Sequence, residues 1–99
     1  MEKENNKTRE KDIEQYLTRQ VGKAGGMAVK QYNPWLVGMP DRLVLMPDGR
    51  AYFVELKAEG KKPRATQILV HRRLEKLGFP VRVIDSKEGV DKFMEGIAE

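Results

Sequence analysis

Cysteine is absent from these 99 residues, which rules out disulfides and thiolate metal sites, and a single histidine, His71, leaves too few nitrogen ligands for a zinc centre. No apolar run approaches the length of a membrane span, and no signal-peptide pattern opens the chain, so the expectation is a cytoplasmic protein without membrane contact. No serine or cysteine constellation suggests a nucleophilic side chain, and no internal repeat or low-complexity segment is present. Charge of neither sign is scarce. Nineteen Lys and Arg against fifteen Asp and Glu give a net charge of +4, which suits a polyanionic partner but also describes many proteins without one. The length fits one domain, 1–99, with a single modest core.

What is present is organised around Gly38 to Lys57, reading G-M-P-D-R-L-V-L-M-P-D-G-R-A-Y-F-V-E-L-K. Two apolar runs, Leu43 to Met46 and Ala51 to Leu56, flank Pro47-Asp48-Gly49. Proline at the first central position of a type I turn, with glycine as the left-handed residue after it, predicts a hairpin with a three-residue loop. Pairing Met46 with Arg50 across that loop sets Leu43 against Phe53 and Asp41 against Glu55. Directly opposed residues have Cβ atoms about 5 Å apart, and Lys57 projects on the same face as Glu55 one pleat further on. Two carboxylates and an ammonium therefore converge at one end of an otherwise apolar hairpin. A hard divalent cation with oxygen ligands would relieve the repulsion of the carboxylates. The bland alternative is a same-face ion pair on an exposed sheet. Spacing alone does not decide, since Glu59-Gly60-Lys61 repeats the Glu-x-Lys pattern in a Gly- and Pro-rich stretch unfit for a strand.

Before the hairpin, residues 1–7 carry charge and little apolar bulk and read as a flexible tail. Thr8 is a plausible N-cap for a helix whose apolar residues Ile13, Tyr16, Leu17, Val21 and Ala24 recur at helical spacing up to Gly25-Gly26. Glu14 falls on the edge of that stripe, where a carboxylate is ordinarily solvated. Met27 to Tyr32 reads as a strand, and the loop that follows presents Trp35, either to cover the open end of the sheet, the favoured reading, or to stack on a base. Both faces of the hairpin are apolar, which asks for helices on both sides.

After Glu59 to Pro63, a helix from about Arg64 to Leu77 places Gln67, Val70, Leu74 and Leu77 on one stripe and ends at Gly78. An inward-facing Gln67 needs a hydrogen-bond partner. Arg72, Arg73 and Lys76 cluster on the other side, where a solvated basic face is the plain alternative to a binding one, and His71 reads as structural. Val81 to Ile84 forms a short strand, and Ser86 caps a last helix through Val90, Phe93, Met94 and Ile97. The order α-β-β-β-α-β-α describes an α/β fold, a four-stranded mixed sheet flanked by helices with a helix added at the C-terminus.

A helical Glu, Gly-x-Pro-Asp, a hairpin, Glu-Leu-Lys and a helical Gln together resemble the PD-(D/E)xK nuclease superfamily, with its restriction-endonuclease-like α-β-β-β-α-β core. The segments Gly38-Met39-Pro40-Asp41-Arg42, Phe53-Val54-Glu55-Leu56-Lys57-Ala58 and Gly60-Lys61-Lys62-Pro63, with Gln67, are similar to its VRR-NUC branch, the virus-type replication-repair nuclease domain, over about Ile13 to Phe93. The resemblance implies a metal-dependent deoxyribonuclease in a bacterial or phage-infected cell. Asp41, Glu55 and the Leu56 carbonyl would hold Mg²⁺ or Mn²⁺, and Lys57 would orient the attacking water or stabilise developing charge. Gln67 would support this shell, and Glu14 would reach the metal directly or through water. Lys30 matches a strand lysine of that branch, for which a phosphate contact and a merely solvated position are equal alternatives; Lys61, Lys62, Arg64, Arg72 and Arg73 are the other candidate nucleic-acid contacts. Stand-alone domains of this branch resemble junction resolvases, so a homodimer acting on four-way junction DNA is expected. A flap, single-strand or nonspecific nuclease, or a non-catalytic nucleic-acid-binding module, remains the alternative.

Overall fold

The computed structural model describes residues 8–98, and the tail expected at 1–7 lies outside them. Helix α1, Glu10–Lys23, forms because Ile13, Leu17 and Val21 recur every fourth residue, and all three are fully buried. Its N-cap is Arg9, without a side-chain cap, rather than Thr8. Thr8 is held elsewhere: its N–H donates to Glu59 Oε1 at 2.7 Å and its carbonyl accepts from the Glu59 N–H at 3.1 Å. The helix closes in a Schellman motif, with the Gly26 N–H donating to the Val21 carbonyl at 2.9 Å and Gly25 in the left-handed region at φ 88°. Ala24, expected on the apolar stripe, is the exposed C-cap.

Strands β1 (Met27–Lys30), β2 (Arg42–Met46) and β3 (Arg50–Leu56) form an antiparallel meander. Strand β4 (Val81–Ile84) joins β3 in parallel after the crossover helix α2 (Ala65–Lys76), so the sheet is mixed with order β1-β2-β3-β4. The hairpin register is the expected one, with Leu43 opposite Phe53 and Met46 opposite Arg50. The turn differs. Asp48 and Gly49 both have positive φ, 71° and 77°, which belongs to the primed turns that match strand twist and not to a type I turn. Strand β1 is two residues shorter than expected; just past its end the Gln31 side chain donates to the Pro40 carbonyl at 2.8 Å.

Alternation along the strands divides the sheet. Val44, Met46, Val54, Leu56 and Ile84 meet Ile13, Leu17 and Val21 of α1 and Val90, Phe93 and Ile97 of the last helix, α3 (Lys87–Ile97), in a single core. Ser86 caps α3 as expected, its Oγ accepting from the Gly89 N–H at 2.9 Å. The opposite face is only partly covered. Phe53 is half-buried, with the Phe79 ring edge-on to it at 6.0 Å between centroids, and His71 is the one buried residue of α2. The expected inward stripe is corrected here: Val70 and Leu74 are half-buried and Leu77 is 72% exposed. They line a groove of about 120 Å³ with Leu36 and Met39. Trp35 covers nothing among the described residues; it is almost wholly exposed. Among the described residues no helix is long and apolar enough to cross a membrane.

Candidate active site

Beyond the last paired residues, Arg42 and Val54, the hairpin strands remain linked through carboxylates. The Asp41 N–H donates to Glu55 Oε1 at 3.2 Å, and the Leu56 N–H donates to Asp41 Oδ1 at 3.1 Å. Each carboxylate is thereby fixed by the backbone of the opposite strand, and Asp41 and Glu55 sit across from each other as the register requires. Lys57 completes the face, its Nζ 3.3 Å from Glu55 Oε2, and its own N–H donates to the Ile84 carbonyl at 3.0 Å, which anchors this end of β3 to β4.

The Glu55 side chain is only 2% exposed, so its oxygens need partners. Besides Lys57, Gln67 Nε2 donates to Oε2 at 3.0 Å. The other end of the same amide accepts from the Arg64 N–H at 2.7 Å, the reach-back half of a capping box. Arg64 has no side-chain acceptor to supply the other half. One glutamine thus starts α2 and holds Glu55. Burial pushes the Glu55 pKa above the ordinary carboxylate range, and the neighbouring Asp41 charge adds to the rise while Lys57 opposes it.

Asp41 and Glu55 offer hard oxygen donors, which suits Mg²⁺ or Mn²⁺, with Lys57 beside Glu55 and the Arg42 guanidinium 3.5 Å from Asp41 Oδ2 as the neighbouring cations. Among the described residues no three His, Cys, Asp or Glu side chains are placed to hold a metal by themselves. Such an ion would use the two carboxylates and fill its sphere from backbone, water or phosphate oxygens, which is how magnesium is commonly bound.

Glu14 does not join this pair. Its Oε2 lies 2.5 Å from an amino nitrogen of Arg42, whose buried guanidinium also donates to the Asp41 carbonyl at 2.9 Å. Glu14 therefore connects to Asp41 through Arg42, from the α1 side of the sheet. Lys30 is paired with Arg42 across β1 and β2, so it shares that side rather than the face of Glu55 and Lys57. Lys61, Lys62, Arg64, Arg72 and Arg73 are exposed, in the connection before α2 or on α2 itself. In the second Glu-x-Lys, Glu59-Gly60-Lys61, Glu59 is tied to the Thr8 N–H.

The sequence assigns no functional role to two neighbours of the site, Arg42 and His71, the latter read as structural. Arg42 was legible only as the residue after Asp41, turned by alternation to the other face. His71 lies one helical turn after Gln67, and its Nε2 stands 3.9 Å from Glu55 Oε1, buried and without a hydrogen-bond partner. Burial, the largest influence on it, lowers its pKa and keeps it neutral. The i, i+4 spacing of Gln67 and His71 was the available signal.

The VRR-NUC domain family model matches residues 3–88. The chain is similar to "Putative nuclease p44" of Acyrthosiphon pisum secondary endosymbiont phage 1, 48% identical over 80 residues that span 81% of this chain and 86% of that protein. A solved structure described as a VRR_NUC domain superposes with a TM-score of 0.84 at 35% identity, covering 92% of this chain and 99% of the other.

Proposed function

We propose that this chain, which belongs to the VRR-NUC domain family and is a nuclease, is a Mg²⁺- or Mn²⁺-dependent DNA endonuclease that works as a homodimer on four-way junctions. The observation that carries the metal-dependent reading is the convergence of Asp41, Glu55, Lys57 and Gln67 at one end of the hairpin. Asp41, Glu55 and the Leu56 carbonyl would hold the ion. When bound, it would polarise the phosphate and offset the negative charge that builds up during phosphodiester hydrolysis. Lys57 aims an ammonium at the same place, where it would orient the attacking water or stabilise the phosphorane-like charge more than the ground state. Gln67 keeps Glu55 in the orientation that ligation needs, and Glu14 acts through Arg42 to brace Asp41.

One such site cuts one strand per encounter, whereas resolving a junction takes two symmetric nicks, which a two-fold dimer supplies. The groove between Leu36, Leu74 and Leu77 is apolar surface that a contact between copies would bury. Phe93 is not available to such a contact, since it lies in the core, edge-on to Tyr52 at 5.8 Å between ring centroids.

The test is incubation with labelled duplex, flap, single-stranded and four-way junction DNA in Mg²⁺, Mn²⁺ or EDTA, with light scattering in parallel. Paired incisions in junctions by a dimer, abolished by EDTA, are expected. Cleavage that persists in EDTA would overturn the metal assignment, and a monomer that nicks flaps as readily as junctions would overturn the dimeric resolvase.

A further inference from the structure

The segment from Gln31 to Pro40 is fixed at its base and bare at its tip. At the base, the Gln31 N–H donates to the Asp41 carbonyl at 2.8 Å and its side chain holds the Pro40 carbonyl, so the loop springs directly from the strand end that carries Asp41. Further along, Gly38 packs on α2 so closely that a Cβ would meet the Thr66 carbonyl oxygen at 2.7 Å, and its φ of 106° is itself a glycine conformation. Between these anchors Pro34 stiffens the chain, and Asn33 Oδ1 accepts from the Trp35 N–H at 3.0 Å. Trp35 is 94% exposed and Tyr32 85%. Two large aromatics on a braced loop contribute nothing to the core, so their presentation calls for an occupant from outside.

Charge identifies that occupant. Residues 27–40 and 60–74, the loop with its strand and the connection before α2 with most of α2, contain no Asp or Glu and carry Lys61, Lys62, Arg64, Arg72 and Arg73, together with Lys30 on the other side of the sheet. The rest of the chain has thirteen cationic residues against its fifteen acidic ones, so the whole positive excess comes from these two segments. An open cleft of about 410 Å³ runs between Tyr32, Leu36 and Val37 of the loop and Arg64 at the start of α2. Arg64 is the residue whose N–H holds Gln67, itself bonded to Glu55. Trp35 lies outside the groove assigned to a contact between copies, and a nucleic-acid strand meets cations with its phosphates and aromatic faces with its bases.

We infer that Trp35, with Tyr32 beside it in the loop, is a stacking platform for a nucleobase released from duplex stacking, and that it selects DNA with an unpaired or unstacked base next to the cut phosphate. The inference rests on the nuclease reading above and adds the feature of the substrate that is recognised. A base at a branch point, in a flap or in a single strand offers the same aromatic face; intact duplex does not.

Trp35 is the chain's single tryptophan, so its fluorescence reports the platform without ambiguity. The protein carrying Glu55→Gln, to keep DNA uncut, is titrated with blunt duplex, flap, single-stranded and four-way junction DNA. Quenching is expected with every DNA that offers an unpaired or unstacked base and not with blunt duplex. Trp35→Ala in the same background should weaken binding of those DNAs about tenfold, as losing one base–aromatic stack does. Blunt duplex affinity should hold, and Trp35→Phe should recover most of the loss. Unchanged fluorescence at saturation, or an equal loss on all four DNAs, overturns the inference. So does a Trp35 signal that varies with protein concentration in the absence of DNA, which would assign the residue to a contact between copies. Wild-type protein that cleaves nothing in Mg²⁺ or Mn²⁺ overturns the nuclease mechanism instead, and leaves these binding results to be judged on their own.

Discussion

The two sides of the sheet are built from the same strands and do different work. On the side of α1 and α3, Val44, Val54 and Leu56 are sealed into a core that draws every other member from α1, α3, β2 and β4. On the side of α2, the intervening residues Phe53, Glu55 and Lys57 meet a helix with a single buried residue, and that residue is His71. Stability is thus concentrated on one face, which frees the other to keep a buried carboxylate and exposed aromatic and cationic surface that a packed face would not tolerate. The contrast predicts that substitutions on the two faces separate activity from stability.

The largest effect is expected from Glu55→Gln. The neutral amide keeps the size, and its single oxygen can still accept from either the Asp41 N–H or Gln67, so one of these two hydrogen bonds is lost and the fold survives. Burial already works against the charged form of Glu55, which offsets the lost hydrogen bond and the lost Lys57 partner, so the melting temperature should change little. Cleavage should fall by about a hundredfold or more, the usual consequence of losing one electrostatic stabiliser of a transition state. Asp41→Asn and Lys57→Ala should behave alike, whereas Glu59→Ala should cleave as wild type. Activity surviving in Glu55→Gln, with contaminating nuclease excluded, would falsify the role of this face.

Leu17→Ala is the counterpart on the packed face. Leu17 is fully buried in the core, and truncating such a side chain costs about 3 kcal/mol. Chemical denaturation should show that loss, while cleavage per folded molecule below the melting transition stays unchanged. A fall in activity that outpaces the unfolded fraction would mean that the two faces are mechanically coupled.

Arg42 is where coupling is expected, because its guanidinium joins Glu14 on the packed side to the Asp41 carbonyl. Removing either partner of this partly buried pair should cost on the order of 1–2 kcal/mol of stability and lower cleavage several-fold by loosening Asp41. The double variant Glu14→Gln with Arg42→Met should cost less than the two single changes together. Arg42→Lys should not restore activity, since one ammonium cannot span both acceptors. Strict additivity in that cycle would show that the pair is incidental to the site.

Much of this division was legible in the sequence, for reasons that can be named. The length of the Pro47-Asp48-Gly49 connection set the hairpin register, and the register alone placed Asp41 against Glu55. Helix α1 was legible because burial at every fourth residue leaves a dense apolar stripe. The rotation of α2 was not, because its apolar residues suggest the wrong inward face. His71 and Leu77 are about 120° apart around the helix, and the bonds of Gln67 decide between them by turning the His71 side toward Glu55. Hydrophobicity predicts a buried stripe, but here a polar contact outweighs it and leaves Leu77 in solvent. The bridge from Glu14 to Arg42 was hidden for a similar reason: a carboxylate on the edge of a helix gives no sign of which cation will reach it. The primed turn was missed because Asp48 is among the few non-glycine residues that accept a left-handed conformation, an option the sequence leaves open.

The smallest effect expected concerns the cations. Arg72 and Arg73 are exposed on α2, on the side of Glu55, whereas Lys23 and Lys92 are exposed on α1 and α3, beyond the core. All four are solvated, and replacing any of them with Ala should leave the melting temperature nearly unchanged. Their effect on DNA binding should nevertheless differ. A side chain that neutralises a phosphate releases a counterion, so each of Arg72→Ala and Arg73→Ala should reduce the slope of log affinity against log salt by about 0.9 on duplex DNA. Affinity at a fixed moderate salt should drop only a few-fold. Lys23→Ala and Lys92→Ala should leave both slope and affinity where they were, although they remove the same formal charge. Binding isotherms at several salt concentrations, read with Glu55→Gln protein so that DNA stays intact, measure all four. Equal slopes across the set would mean that DNA responds only to net charge, and the basic surface of α2 would then be no more than a solvated face.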